Sequence, residues 1–185
     1  MANPGPMIIG PVVALTACVD AVYAGLLPLG SAPLLIGILI ACSISQIIGG
    51  VTALQKKDIV LGSISVIFGT VITLGATITL WQTLAPGPRP IPEVMGVFWI
   101  VLFLAAEGYE VAFGRMSWLL FAGIADVGVA FLLLGLSSLG GGPVHGVIAG
   151  YLLLAFAAFC LCSATAMLWG ENFQRPVPPL GKPLY

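Results

Sequence analysis

Residues Met116 to Leu139 read MSWLLFAGIADVGVAFLLLGLSSL, and this stretch decides the fold. One charged residue, Asp126, interrupts it. An α-helix gains about 1.5 Å per residue, so a run of this length crosses the roughly 30 Å of hydrocarbon in a bilayer, for which about 20 residues suffice. Within it, Ala130-Phe131-Leu132-Leu133-Leu134 is apolar on every side. A membrane β-strand would instead alternate apolar and polar over about ten residues, so a helix is expected here and an outer-membrane barrel is not.

Five further stretches share this character: Met7 to Leu29, Pro33 to Leu54, Ile59 to Leu84, Glu93 to Phe113 and Val144 to Trp169. The whole chain of 185 residues is 59% hydrophobic and 7% charged, with a mean hydropathy of +1.14. An ordinary globular domain carries about 25% charge. The connectors, such as Gln55-Lys56-Lys57-Asp58, Gly114-Arg115 and Gly140-Gly141-Gly142-Pro143, are too short to fold separately. The expectation is an all-α polytopic membrane protein, a single domain over residues 1–185 whose six transmembrane helices form a compact bundle, with a short tail over residues 170–185. The first stretch lacks a positively charged leader and matches its sequels in length, so it reads as a retained span.

Short loops rich in Lys and Arg stay cytoplasmic. One side of the six-span arrangement collects Lys56, Lys57, Arg115, Arg175 and Lys182, and the other only Arg89. Both termini are therefore expected in the cytoplasm and the protein in the inner (plasma) membrane. An even span count puts both ends on one side, in agreement with the charge bias.

A net charge of -1 supplies no basic stripe for a phosphate backbone, which argues against nucleic acid as a partner. Cys18, Cys42, Cys160 and Cys162 all fall inside spans, where they read as small packing residues; Cys160 and Cys162 point to different sides of a helix and cannot share a metal. With one histidine, His145, and no phosphate loop, dinucleotide fingerprint or HExxH motif, neither an enzyme nor a cofactor or metal site is expected. His145 reads as an interfacial residue, with external pH sensing as its functional alternative.

Polar groups at membrane depth are more informative, because an ionisable side chain there costs about 3 kcal/mol on insertion scales and faces a cavity or a partner. Asp20, Glu107 and Asp126 qualify as proton-linked candidates, Asp20 and Asp126 near mid-bilayer and Glu107 closer to the cytoplasmic end. The alternative is that they hold helices together by hydrogen bonds. No Lys or Arg lies in the spans to pair with them, so protonation or bonding to hydroxyls is expected. Ser63, Thr70, Thr73 and Thr77 recur along one face of the third span and either line a path or bond to a neighbouring helix. In the second span, Cys42, Ser45, Gly49, Gly50 and Ala53 allow close helix approach, as does Gly146-x-x-x-Gly150 in the sixth. Gln46 stands apart, since a buried amide needs several hydrogen bonds and can donate to a passing carboxylate.

The opening Asn3-Pro4-Gly5-Pro6, the stretch Ser45-Gln46-Ile47-Ile48-Gly49-Gly50 and the tail Glu171-Asn172-Phe173-Gln174-Arg175 through Pro178-Pro179-Leu180-Gly181 resemble the acetate uptake transporter family, the YaaH or succinate-acetate permease group. The tail element matches loosely, and Met7-Ile8-Ile9 stands where the family continues Leu-Gly-Leu. The resemblance implies a hexameric six-helix channel or permease for acetate and related short monocarboxylates, with uptake favoured by protons and a path through each protomer. It implies a constriction near Val12, Phe68 and Val127, with Phe68 in place of a Tyr and Val12 in place of a Phe, and a cytoplasmic mouth shaped by Asn3, Pro4 and Pro6. Asp126 is then expected beside the constriction, where its replacement by Asn should flatten the pH profile of uptake.

A carboxylate crosses an apolar constriction poorly as an anion, because its lost water must be replaced by donors. A path with no fixed cation and a few hydroxyls suits a neutral solute or an acid travelling with its proton. Two other classes stay open: a passive channel for urea or short amides, and a non-transporting membrane assembly subunit.

Overall fold

A computed structural model describes residues 3–28, 30, 32–84, 92–173 and 182–184. The chain forms α1 (Gly5–Tyr23), α2 (Ala32–Gln55), α3 (Ile59–Ile67), which passes through a π-helical segment (Phe68–Leu74) into α4 (Gly75–Leu84), then α5 (Pro92–Gly114), α6 (Trp118–Leu136), which ends in a second π-helical segment (Ser137–Gly141), and α7 (Pro143–Phe173). Six helices, the third being the α3–α4 rod, are long and apolar enough to cross a membrane. The expected all-α bundle of six spans is what the described residues form. Leu34, Ile59, Val94, Leu104 and Val144 lie exposed on its outside, as a bilayer-facing surface requires.

Helix α1 runs against α7 and α2, α5 against α6, and α2 against the α3–α4 rod. Small residues permit these approaches. A Cβ on Gly49 would stand 2.5 Å from Ile8 Cγ1, and one on Gly69 would stand 3.0 Å from Gln46 Cβ and 3.1 Å from the Ser43 carbonyl oxygen. The small-residue face of the second span is thus a packing face, as expected.

Pro11 sits inside α1, where it cannot donate to the carbonyl of Met7 four residues earlier. Ser45 of α2 fills that gap, its Oγ donating to Met7 O at 3.0 Å, and Cys42 Sγ lies 3.1 Å from Pro11 O. Two polar residues of α2 therefore stabilise the proline-containing turn and fix α1 against α2.

The first span is shorter than the sequence suggests. It stops at Tyr23 because Gly25, at φ +74°, turns the chain, and Leu26 N and Leu27 N both donate to Ala21 O. The connectors carrying Arg89 and Arg175 lie outside the described residues. Asn3, the α2–α3 turn at Asp58, the α5–α6 turn at Met116 and Met167 near the end of α7 gather around one mouth. The chain's last segment docks at this end, with Trp118 N donating to Lys182 O and Leu184 N to Gly114 O, both at 2.9 Å. The beginning and end of the chain therefore lie on one side, as an even number of spans demands.

Candidate functional site

Two cavities lie along the bundle. The larger, about 250 Å³, extends inward from the mouth that holds Asn3, Asp58 and Met116. The smaller, about 70 Å³, lies beyond it and is walled by Thr16, Asp20, Trp99, Phe131 and neighbours. Phe68 and Phe156 belong to the walls of both. These rings separate the two spaces.

The three residues expected at a constriction converge here. Val12 lines the larger cavity, Phe68 both, and Val127, 1% exposed, the smaller. Phe68 is held by ring contact with Phe131 at 6.3 Å, and Phe131 stacks on Trp99 at 5.4 Å. Phe68 is also the first residue of the π-helical segment. A π turn adds a residue to the helix and rotates the residues after it relative to the face that Phe68 occupies. Helix α2 grips this segment: Ser43 Oγ donates to Gly69 O at 2.6 Å, and Thr73 Oγ1 donates to Gln46 Oε1 at 3.0 Å.

Gln46 is fully buried and lines the larger cavity, and its Nε2 has no partner. An amide that accepts from Thr73 and keeps two uncommitted N–H groups leaves a buried donor in the wall of this space. Asp20, 5% exposed, lines the smaller cavity with Oδ2 unpartnered. No charged residue among those lining the smaller cavity compensates it.

The hydroxyl set of the third span divides. Thr73 and Thr77 are buried, with Thr77 Oγ1 donating back to Thr73 O at 2.8 Å, while Thr70 is exposed and bonds its own helix at Val66 O, 2.6 Å away. The wider turns of Phe68–Leu74 rotate Thr70 away from Thr73, so the regular spacing does not produce one face. Ser63 Oγ bonds Ile59 O and accepts from Tyr109 Oη at 3.1 Å, linking α3 to α5.

Asp126 adjoins Val127 in sequence but does not share its helix face. One residue is about 100° of helix, and Asp126 lines neither cavity, although its Oδ2 is buried without a partner. Glu107 is exposed on α5 beside Gly128 of α6 and also lies outside both spaces. Of the three acids, Asp20 is the one that faces a cavity. His145 stands at the opposite end near Gly141 with Nδ1 unpartnered. Asn3 lines the mouth and its Oδ1 accepts from Gly5 N at 2.9 Å, with Pro4 at the N-cap of α1 and Pro6 in its first turn.

Sequence reasoning missed Phe156, Trp99 and Thr16. Thr16 is four residues before Asp20 on one helix and so shares its face, a signal that was present; nothing in the sequence marked Phe156 among the Phe residues. Among the described residues no group of three or more His, Cys, Asp or Glu side chains could hold a metal ion.

No protein-family model matches the chain, and no curated protein matches it by sequence. A solved structure does: the bacterial acetate channel SatP superposes with a TM-score of 0.90 over 98% of this chain and 99% of that one, at 20% identity. The resemblance read from the chain's two ends and second span is therefore matched by a likeness of fold along almost its full length.

Proposed function

We propose that this protein is a member of the acetate uptake transporter family and forms a path across the membrane for acetate and similar short monocarboxylates. The observation that carries this reading is the pair of cavities meeting at Phe68 and Phe156 along the bundle of a fold shared with an acetate channel. In uptake, solute passes from the Asp20 cavity past the aromatic rings to the amide of Gln46 and leaves at the mouth around Asn3 and Asp58. Among the described residues no cation lines either cavity, so a lone anion would leave its water without adequate replacement, whereas an acid carrying its proton would not. Uptake is accordingly favoured by protons.

The whole chain acts as one transmembrane unit in the plasma membrane, with the Asn3 mouth on the cytoplasmic side in keeping with Lys56, Lys57, Arg115 and Lys182 at that end. Copies assemble as a homo-oligomer with one path each. Glu107, an acid exposed on the outside of α5, is better accommodated against a neighbouring copy than against lipid.

The test is initial-rate acetate uptake into vesicles containing the purified protein, at alkaline pH where little neutral acid leaks through lipid. Uptake well above protein-free vesicles, accelerated by an inward proton gradient, is expected. Rates equal to protein-free vesicles would remove the transport reading in favour of an assembly subunit.

A further inference from the structure

The hydrogen-bonding inventory of the smaller cavity is one-sided. Thr16 Oγ1 commits its hydrogen to Val12 O at 2.7 Å, and Thr73 Oγ1 commits its own to Gln46 Oε1 at 3.0 Å, so neither hydroxyl among the lining residues has a hydrogen left to give. Asp20 adds a carboxyl whose Oδ2 is unpartnered. The other lining side chains are aliphatic or aromatic, with the indole N–H of Trp99 as an uncharged donor. Among the described residues lining this cavity, no second titratable group faces Asp20. Cys42 of α2, Glu107 and Glu110 of α5, Asp126 of α6 and Cys160 of α7 all lie outside this lining, and the α3–α4 rod contains no titratable residue.

A carboxylate anion in such a space would meet another carboxyl and a surplus of acceptors. It can be held only if a proton sits between it and Asp20. A solute that brings its own donor needs no such help. Volume narrows the choice further, since at 10–15 Å³ per water the space of about 70 Å³ holds about five waters, or one solute of roughly four to six heavy atoms.

We propose that the Asp20 cavity is a solute subsite selective for small neutral molecules with an O–H or N–H donor, which Asp20 accepts. It takes the protonated form of a two- or three-carbon monocarboxylic acid and, by the same contact, the primary amide of that shape. This rests on the transport reading and adds short primary amides as a second class of cargo. In the acid complex the pair shares one proton between the two carboxyl groups, and no other bond is made or broken. The larger cavity, with the free N–H groups of Gln46, receives either the acid or its anion, so the choice is made beyond Phe68.

The experiment uses wild-type protein in phosphatidylcholine vesicles, with labelled acetamide as the probe and acetate uptake as the reference. Acetamide should enter at least about fivefold faster than in protein-free vesicles, at a rate independent of pH, and should compete with acetate; acetone, of similar size but without a donor, should not compete. Asp20→Leu should lower both fluxes by about tenfold or more. Asp20→Asn, which retains an acceptor and gains a donor, should keep acetamide flux within about twofold while acetate uptake loses its preference for low pH. Acetate transport without acetamide flux or competition would overturn the inference and leave the transport reading standing. Absence of acetate flux would overturn both. If neither variant inserts, the wild-type contrast between acetamide and acetone decides.

Discussion

The larger and the smaller cavity share two aromatic rings and little else. On the mouth side of Phe68 the buried polar group with uncommitted donors is Gln46, a neutral amide, since Ser65, also buried there, gives its hydrogen to Leu61 O. On the far side it is Asp20, an acid among hydroxyls whose hydrogens are already committed. Thr73 joins the two, because its bond occupies Gln46 Oε1, leaving that amide with only N–H groups to offer, and at the same time removes a donor from the smaller space. One hydroxyl thus sets the hydrogen-bonding polarity of both sides. On the proposed transport reading, the difference teaches that a path without a fixed cation would discriminate between protonation states through which end of a hydrogen bond each compartment lacks.

The most severe way to break this contrast is Gln46→Leu. It removes the donor from the larger cavity and leaves the Thr73 hydroxyl buried without its partner, a loss of about 2 kcal/mol or some thirtyfold in acetate uptake. Initial rates in vesicles measure it, and wild-type rates would show that the larger cavity holds solute without the amide. Next comes the partition itself. Phe68→Ala should join the two spaces and raise the rate of four- to six-carbon acids relative to acetate by about tenfold, the discrimination that a methylene or two provides in an apolar site; unchanged relative rates would move the constriction away from Phe68.

Thr73→Val tests the shared hydroxyl. Losing one buried hydrogen bond costs about 1 kcal/mol, so a roughly fivefold fall in acetate uptake is expected, with Gln46 free to reorient. Retention of full uptake would mean the amide is positioned by packing alone. The smallest effect belongs to Asp126→Asn. Because Asp126 lines neither cavity, uptake should change by less than about twofold, as for a substitution away from the path, with the same pH profile. A flattened profile would restore the role that its place in the chain suggests.

How much is legible in the sequence varies by residue. The six spans follow from hydropathy and length, because a bilayer requires about 20 apolar residues per helix whatever their partners. Gln46 stands out as the one amide in a small-residue face, and it is the pivot of the site. Asp126 does not lie where its sequence position suggests, since adjacency to Val127 along a helix means divergence by about 100° around it. The shared hydroxyl face fails for a related reason: the periodicity assumes an unbroken α-helix, and the π turns at Phe68–Leu74 shift the register between Thr70 and Thr73.

By itself, then, the sequence determined a bundle of six membrane helices with few polar groups inside it, because solvation by lipid acts on each segment separately. Only the tertiary structure decided that Asp20 rather than Asp126 lines one of the two cavities, that Phe156 joins Phe68 in the walls of both, and that Thr73 gives its hydrogen to Gln46. Those outcomes depend on how helices rotate and interlock around one another, and rotation about an axis is fixed by contacts between segments that no single segment encodes.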